Sequence, residues 1–370
     1  MKTSLVYSLT TIAALLMPSV LVRADNFQYP GLNDLNALFE LSPVLEQAKS
    51  VRLVEVADAP YSNSRREFFA SFLLLKPGSG NLEYGTLVYP LPVLTPHWEN
   101  QAINPNYSPA FNIGAAYFIS DTYNDLRTSW THLDTTDSAS FVGGNNNFAG
   151  PPYLIGPGAN AYNFGSGSVN FRYDAVNFEA GHLFRAGRPF QVRVLGGVQY
   201  VSITQNMTGT FSSDSSINSQ TYTTNSSFSG AGPRVGVNTQ FSGRYFQFVG
   251  DMAAVALIGT QELNQTFNTV SPNFPGGNPQ SFSSPNGTQV VPGLDSKLGG
   301  SYSFPFRRGI FKIEAGYQAA IYIGAVNSYS LGQVTTPLQM QDAGVFFATA
   351  QHEQSNFFAH GPYLSSTFSF

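Results

Sequence analysis

Apolar and polar side chains alternate one by one through most of the chain after residue 66. In residues 190–204, for example, Val192, Val194 and Tyr200 share one face and Arg193 lies on the opposite one. A period of two residues predicts β-strands that have one apolar and one polar face. Eleven strands are predicted in this way, at residues 66–76, 81–90, 109–119, 123–133, 168–180, 190–204, 228–241, 245–260, 289–304, 310–325 and 357–370.

The predicted strands are joined by connections that alternate between short and long. Outer-membrane barrels have short periplasmic turns and longer outside loops, whereas a soluble β-sandwich gives no reason for this order. The alternation therefore favours an all-β fold, a transmembrane antiparallel β-barrel. The short connections are residues 77–80, 120–122, 181–189, 242–244 and 305–309, and the long ones are residues 91–108, 134–167, 205–227, 261–288 and 326–356.

The direction of the strands sets their number. If the last strand runs toward the periplasm, counting back makes residues 66–76 run the same way, so the chain needs one more crossing before residue 66. A twelfth strand is predicted near residues 50–57, which gives a barrel of about 12 strands, within the range known for such barrels. The alternative is that residues 31–65 thread the lumen as a plug.

The beginning of the chain has a different pattern. Residues 1–24 fit an export signal, with a basic start, an apolar run and a small residue, Ala24, at the cleavage position. In the N-terminal segment 25–49, leucines recur at helical spacing, which predicts a short helix in the periplasm or the lumen. No later stretch is apolar enough for a transmembrane helix. The predicted barrel domain is residues 50–370.

Composition agrees with a sheet that lies between lipid and water. The chain has no cysteine, so closure of the sheet, rather than disulfides, is expected to stabilise it. Charged residues are only 11% and aromatic residues 14%, yet mean hydropathy is close to zero at −0.09. The net charge of −4 argues against nucleic acid as a partner.

The face opposite the aromatic side chains is predicted to line the lumen, and it carries charges of both signs. Such a set suits a polar passage with weak ion preference. The alternative is that the charges pair across a narrow, filled lumen with no open path, because small barrels are filled by side chains. The predicted pore-lining residues are Glu83, Arg127, Arg172, Asp174, Arg193, Arg234, Asp251, Asp295, Lys297, Lys312 and Glu314.

The aromatic side chains toward the strand ends are predicted to form girdles at the membrane interfaces. These residues are Tyr84, Trp130, Tyr173, Tyr200, Phe241, Phe246, Phe304 and Tyr317. The last strand ends on alternating apolar residues, and Leu364, Phe368 and Phe370 are predicted to form the barrel-assembly signal.

Motifs for catalysis or for a bound cofactor are not found. The five histidines are scattered, and His132 with Asp134, beside Trp130, is the one local pairing. We interpret it as an interfacial strand end, and predict no enzyme activity, cofactor or metal. Five Asn-x-Ser/Thr sequons, for example at Asn206 and Asn225, are interpreted as products of polar loop composition.

Several stretches resemble the Legionella-type major outer membrane protein family. They are residues 69–84, 111–134, 230–236 and 310–325, together with the closing strand, and the likeness covers most of residues 66–370. The resemblance implies a pore-forming barrel of the bacterial outer membrane and carries over no catalytic residue. Some members of the family contain cysteines, which this chain lacks.

Two functions remain open at this stage. The first is a porin-like channel for passive diffusion of small hydrophilic solutes and ions. The alternative is a surface-exposed structural barrel or adhesin with a closed lumen; a membrane-embedded enzyme would need a catalytic triad at the rim. The expected partners are outer-membrane lipid and lipopolysaccharide, the barrel-assembly machinery, small solutes and, as an open possibility, further copies of the chain.

Overall fold

The structure is a computed structural model that describes residues 65–89, 97–143, 148–152, 162–185, 189–213, 218–243, 247–272, 274–306, 309–333 and 348–370. Within these ranges, no helix is long and apolar enough to cross a membrane. The described strands are β1 (Arg65–Ser79), β2 (Glu83–Tyr89), β3 (His97–Ala102), β4 (Ser108–Phe118), β5 (Asn124–Val142), β6 (Phe148–Gly150), β7 (Phe164–Arg185), β8 (Phe190–Ser212), β9 (Ser219–Ser242), β10 (Gln247–Ser271), β11 (Phe274–Phe306), β12 (Gly309–Gln333) and β13 (Ala348–Ser369).

Ten of these strands form a closed antiparallel ring, in the order β1, β4, β5, β7, β8, β9, β10, β11, β12 and β13. The ring closes because β1 pairs with β4 along one edge and with β13 along the other. Phe72, for example, lies between Phe111 of β4 and Leu364 of β13. A ring leaves no strand edge unpaired, which is the condition for a sheet to cross lipid. The predicted antiparallel barrel is confirmed.

The predicted number of about 12 strands is wrong for the ring. The predicted strand 81–90 corresponds to β2, which belongs to a separate three-stranded sheet in the order β3, β2, β6. Alternation alone cannot tell a wall strand from a strand beside the wall. Without β2 in the ring, β1 runs opposite to β13 and no extra crossing is required. The proposed strand at 50–57, the plug, the export signal and the N-terminal helix lie outside the described residues.

The two ends of the barrel differ. The connections after β4, β7, β9 and β11 are short and lie at the end that holds Arg66 and Phe370, whose backbone groups exchange two hydrogen bonds of 3.0 Å. At the other end the strands are longer than predicted. Residues 205–227 and 261–288, predicted as loops, are mostly strand, and β8 to β11 have 23 to 33 residues each. Crossing a bilayer takes only about 9–11 residues, so these strands extend well beyond it.

The two faces of the wall exchange their character partway along the strands. On β8 the outward positions from Phe190 to Tyr200 are apolar or glycine, and those from Ser202 onward are hydroxyl and amide side chains. The inward positions change from charged to apolar. Arg193 lies in the first half of the strand, and the fully buried Val201 is the first inward residue of the second half. The first half therefore fits lipid outside and polar groups inside, and the second half fits water outside and an apolar core inside.

The change occurs at the same register on four neighbouring strands. From Phe190 to Tyr200 the strand rises about 34 Å, which at the usual tilt corresponds to a band about 26 Å tall. This agrees with the apolar band of about 25 Å found in outer-membrane barrels. The last apolar row is Val176, Tyr200, Ala231 and Ile258, and the next row outward is Asp174, Ser202, Ser229 and Thr260.

Candidate functional site

Most of the predicted pore-lining residues lie on the inner face of the barrel, in the half with the apolar outer belt. Six different strands contribute them, so the ring brings together residues that are far apart in sequence. The inward residues are Arg127, Arg193, Arg234, Asp251, Asp295, Lys297, Lys312 and Glu314. A pore-lining role for them stays a prediction.

The luminal placement of Arg172 and Asp174 is wrong, and the placement of Glu83 on a strand of the wall is wrong. Arg172 and Asp174 lie on the outer face of β7, and the Arg172 side chain is 59% exposed. This segment of β7 lies beyond the apolar belt, so its polar face points to water. Phe171 and Tyr173, on the opposite face of the same strand, are buried inside the barrel. Glu83 belongs to β2, which is not a strand of the ring.

A chain of ion pairs runs along the inner face of the barrel through two arginines. Nη2 of Arg193 lies 2.6 Å from Oδ1 of Asp125, and its Nε donates to the other carboxylate oxygen at 2.8 Å. Nη1 of Arg193 lies 3.4 Å from one oxygen of Glu179, and Nε of Arg234 donates to the other at 3.0 Å. Arg234 also pairs with Asp295. Five alternating charges thus link β5, β8, β7, β9 and β11.

These ion pairs are nearly dry. The side chains of Arg193 and Asp125 are only 8% and 1% exposed. Gly181 makes room for them, because a Cβ at this inward position would overlap the Arg193 guanidinium. Charges buried to this degree are tolerated only when they pair and are hydrogen-bonded. The network therefore behaves as a structural crosslink between strands.

A second group surrounds Glu314. Its two oxygens accept Nζ of Lys297 at 2.6 Å and Nζ of Lys312 at 2.8 Å. The Tyr363 hydroxyl donates to the same carboxylate at 3.0 Å, and Nζ of Lys297 lies 4.3 Å from the centre of the Tyr363 ring. The carboxylate is therefore saturated, and each lysine is held by it.

Hydrogen bonds connect the ionic layer to the core beyond it. The Tyr322 hydroxyl donates to Asp295 at 3.3 Å and lies 3.0 Å from the Tyr173 hydroxyl. Nε2 of Gln199 donates to the hydroxyl of Tyr322 at 3.3 Å and to Asp295 at 3.2 Å. The three side chains come from β12, β7 and β8, so they reach across the ring at the level where the lumen turns apolar.

The outer half of the lumen holds one contiguous apolar cluster, with buried polar side chains such as Gln205 and Gln265 among it. Tyr84 of β2 joins it, with its ring 5.6 Å from that of Phe141 and its carbonyl oxygen accepting the Tyr222 hydroxyl at 2.8 Å. Gly167 leaves space for the Tyr84 ring. Fully buried members include Leu73, Phe171, Val201, Phe211, Phe228, Leu257, Val291 and Phe357. The part of the lumen formed by described residues thus contains an ionic layer covered by a packed, mostly uncharged one.

Sequence reasoning missed Asp125 and Glu179, the two carboxylates that bind Arg193. Asp125 was recoverable, because it shares its strand face with Arg127. The sequence hides Glu179, because it shares its strand face with Tyr173, an aromatic residue of the predicted girdle. With these two and the Arg65–Glu67 pair of β1, the described inner face of the belt carries six positive charges (Arg65, Arg127, Arg193, Arg234, Lys297, Lys312) and six negative ones (Glu67, Asp125, Glu179, Asp251, Asp295, Glu314).

The predicted aromatic girdle is placed outward in part. Trp130, Tyr200, Phe241, Phe304 and Tyr317 are exposed on the outer face, at the edges of the apolar belt. Leu364, Phe368 and Phe370 are also exposed there. The structure contradicts the girdle position of two residues, because Tyr84 and Tyr173 are buried in the core; Phe246 lies outside the described residues.

The local pairing of His132 with Asp134 is not formed. Nδ1 of His132 lies 2.7 Å from Oδ1 of Asp174, which also accepts Nε1 of Trp130 at 3.1 Å. Asp134 instead accepts the Asn170 amide at 3.1 Å. The described residues contain no group of His, Asp or Glu that could hold a metal ion. This cluster lies on the outer wall, just beyond the apolar belt.

A closed ring with an apolar belt about 25 Å tall and polar groups inside defines the class of outer-membrane β-barrels. Sequence comparison identifies the particular family. The family described as Legionella pneumophila major outer membrane protein precursor matches residues 58–370, and the chain belongs to it. The protein is thus a protein of the bacterial outer membrane. A comparison with curated proteins finds no match.

Solved structures similar to this chain are also outer-membrane barrels, at very low sequence identity. The outer membrane protease OmpT of Escherichia coli is 7% identical, with 85% of this chain and 99% of that chain covered and a TM-score of 0.42. A FadL homologue of Pseudomonas aeruginosa is 6% identical, with 84% and 92% covered and a TM-score of 0.27. The P. putida toluene transporter TodX is 8% identical, with 85% and 93% covered and a TM-score of 0.20.

Proposed function

We propose that this protein is a surface barrel with a closed lumen. Its function is to bind other molecules through the part of the wall that projects beyond the membrane. The observation that carries this proposal is the apolar cluster in the outer half of the lumen. A hydrophilic solute would have to displace fully buried side chains such as Phe171, Phe228 and Leu257. Barrels near this size are filled by side chains, and clear aqueous channels are secure only at about 16–18 strands.

Planar-bilayer recordings of the purified full chain test this proposal. The closed barrel is expected to give no discrete conductance steps over a range of salt concentrations and voltages. Stable steps from the wild-type protein, at a frequency that follows the amount of protein added, would refute it. A known porin reconstituted under the same conditions shows that insertion can be detected.

The second candidate is a channel for small hydrophilic solutes and ions. It is favoured by the twelve charges on the described inner face of the belt, where Lys297 and Lys312 keep about a quarter of their side-chain surface exposed, at 27% and 26%. In this case the wild type conducts, and charge reversal at Arg193 and Arg234 shifts the reversal potential in a salt gradient. The matched control is reversal of Arg172, which lies outside the barrel and is expected to leave ion selectivity unchanged.

The absence of enzyme activity stays a prediction. So do the partners expected from the sequence, which are the assembly machinery, lipopolysaccharide and further copies of the chain.

A further inference from the structure

The outer wall carries a row of asparagines beyond the apolar belt. Asn170, Asn206, Asn225 and Asn264 come from β7, β8, β9 and β10 and lie directly opposite one another from strand to strand. Asn206, Asn225 and Asn264 are the first residues of Asn-x-Ser/Thr sequons, which the sequence analysis interprets as products of loop composition. Their regular placement in a sheet replaces that interpretation.

The neighbouring outward row consists of hydroxyl side chains. Thr208, Thr223 and Thr266 lie opposite one another on β8, β9 and β10. Adjacent strands are about 4.8 Å apart and outward positions on one strand about 6.7 Å apart, so the two rows form a flat grid of amides and hydroxyls. All groups in this grid are uncharged and can both donate and accept hydrogen bonds.

Three of the four amides in this grid are open to a ligand, whereas Asn170 donates to Asp134 and to two groups of the neighbouring β5 residues. Asn206, Asn225 and Asn264 are exposed, and none of their side chains makes a hydrogen bond within the described part of the chain, while the hydroxyls of Thr208 and Thr223 lie 3.4 Å apart. A phosphate would require a free cation, but Arg172, the nearest one on this face, lies 3.3 Å from Asp174. The chemistry therefore suits a neutral, hydroxyl-rich ligand.

The position of the grid selects the source of that ligand. The grid is continuous with the lipid-facing belt, because only the rows of Ser202 and Thr204 separate Asn206 from Tyr200 on the outer face of β8. The glycolipid of the outer leaflet has a phosphorylated disaccharide next to the hydrocarbon layer, and its core sugars lie beyond that, as the asparagine row lies beyond the rows of Ser202 and Thr204. We propose that this wall binds the core oligosaccharide of lipopolysaccharide through the asparagine and threonine rows.

This inference deepens the proposed function, because it names a molecule that the projecting wall contacts. It rests on the proposed function in one respect, namely that the projecting wall is the surface that binds. The two can fail separately. Conductance steps would remove the closed-lumen proposal without changing the sugar binding, and a lack of sugar binding would leave the conductance result unchanged.

The test compares two probes on the full chain folded in detergent. One probe is rough lipopolysaccharide, which has lipid A and core sugars, and the other is lipid A alone. The variant N206A/N225A/N264A removes three exposed amides. The matched control is Gln354→Ala, which removes an exposed amide from β13, outside the grid. Apparent dissociation constants are measured for each protein with each probe.

The wild type and Gln354→Ala are expected to bind the rough form more tightly than lipid A. The triple variant is expected to bind the rough form about tenfold more weakly, because three neutral hydrogen bonds are lost, with lipid A unaffected. Equal binding of the rough form by wild type and triple variant would overturn the proposal. So would an equal loss for both probes, which would indicate an acyl or phosphate site. Asn225→Ala alone, expected to give a smaller loss, replaces the triple variant if that does not fold.

Discussion

Removing Arg193 is expected to destabilise the barrel far more than removing Arg172. Arg193 and Arg172 lie on neighbouring strands, but their side chains are 8% and 59% exposed. Arg193 makes close hydrogen bonds to Asp125 and also contacts Glu179, whereas Arg172 makes one contact of 3.3 Å to Asp174. Substitution of both by methionine keeps most of the side-chain length and removes the charge.

The magnitude follows from what is left behind. Arg193→Met leaves Asp125, only 1% exposed, as an unpaired buried carboxylate, and breaking a buried pair in this way costs about 3–5 kcal/mol. Glu179 still pairs with Arg234 in this variant, so the loss of its contact with Arg193 adds little to the cost. Arg172→Met removes a surface pair that contributes about 0–1 kcal/mol. The expected difference between the two variants is therefore about 3 kcal/mol.

Equilibrium unfolding by urea in lipid vesicles measures this difference, with tryptophan fluorescence and electrophoretic mobility as independent signals. A second substitution separates charge burial from lost packing. D125L/R193M removes both charges, and it is expected to regain most of the stability lost in Arg193→Met. If Arg193→Met unfolded within 1 kcal/mol of Arg172→Met, the network would be wet and the closed ionic layer would be refuted.

Three further substitutions test other parts of the structure. Val198→Arg, in the belt, is expected to cost about 2–4 kcal/mol in vesicles, whereas Thr208→Arg on the same face of the same strand costs about 0–1; equal costs would contradict the position of the belt. Gly181→Ala is expected to lower the unfolding free energy by displacing the Arg193 guanidinium, while Gly196→Ala, which has open space around it, should not; a neutral Gly181→Ala would contradict the packing. Burial raises the pKa of Tyr84 above its usual 10.0, so its folded state holds the proton more tightly and stability falls as pH rises past 10.0; Tyr84→Phe is expected to reduce this fall, measured as unfolding free energy against pH, and an unchanged fall would show that Tyr84 is not buried.

Alternation in the sequence was enough to predict the strands of the belt and their faces. Between Phe190 and Tyr200 the outside is lipid, so apolar positions point outward and Arg193 points inward, as predicted. The same rule failed for residues 168–174, because alternation looks identical when the two faces are exchanged. Which face is inside depends on whether lipid or water lies outside, and that is set by distance along the strand.

The ion pairs could not be predicted from the sequence. Asp125 and Arg193 are 68 residues apart, and Arg234 and Asp295 are 61 residues apart. Their contact depends on strand order and on register across the ring, and a shift of one residue would turn each side chain to the opposite face. The insertion of Tyr84 was hidden for a related reason, because β2 alternates like a wall strand but lies outside the ring.

The exchange of faces explains why the charges and the apolar core occupy different halves of one lumen. In the belt the outward positions meet lipid and are therefore apolar. Many inward positions there are charged, and in a ring of ten strands they meet one another rather than bulk water, so they pair as Arg193 does with Asp125. Beyond Tyr200 the outward positions meet water and can be polar, which frees inward positions such as Val201 to form an ordinary hydrophobic core. The outer half of the barrel is thereby stabilised by burial that does not require lipid.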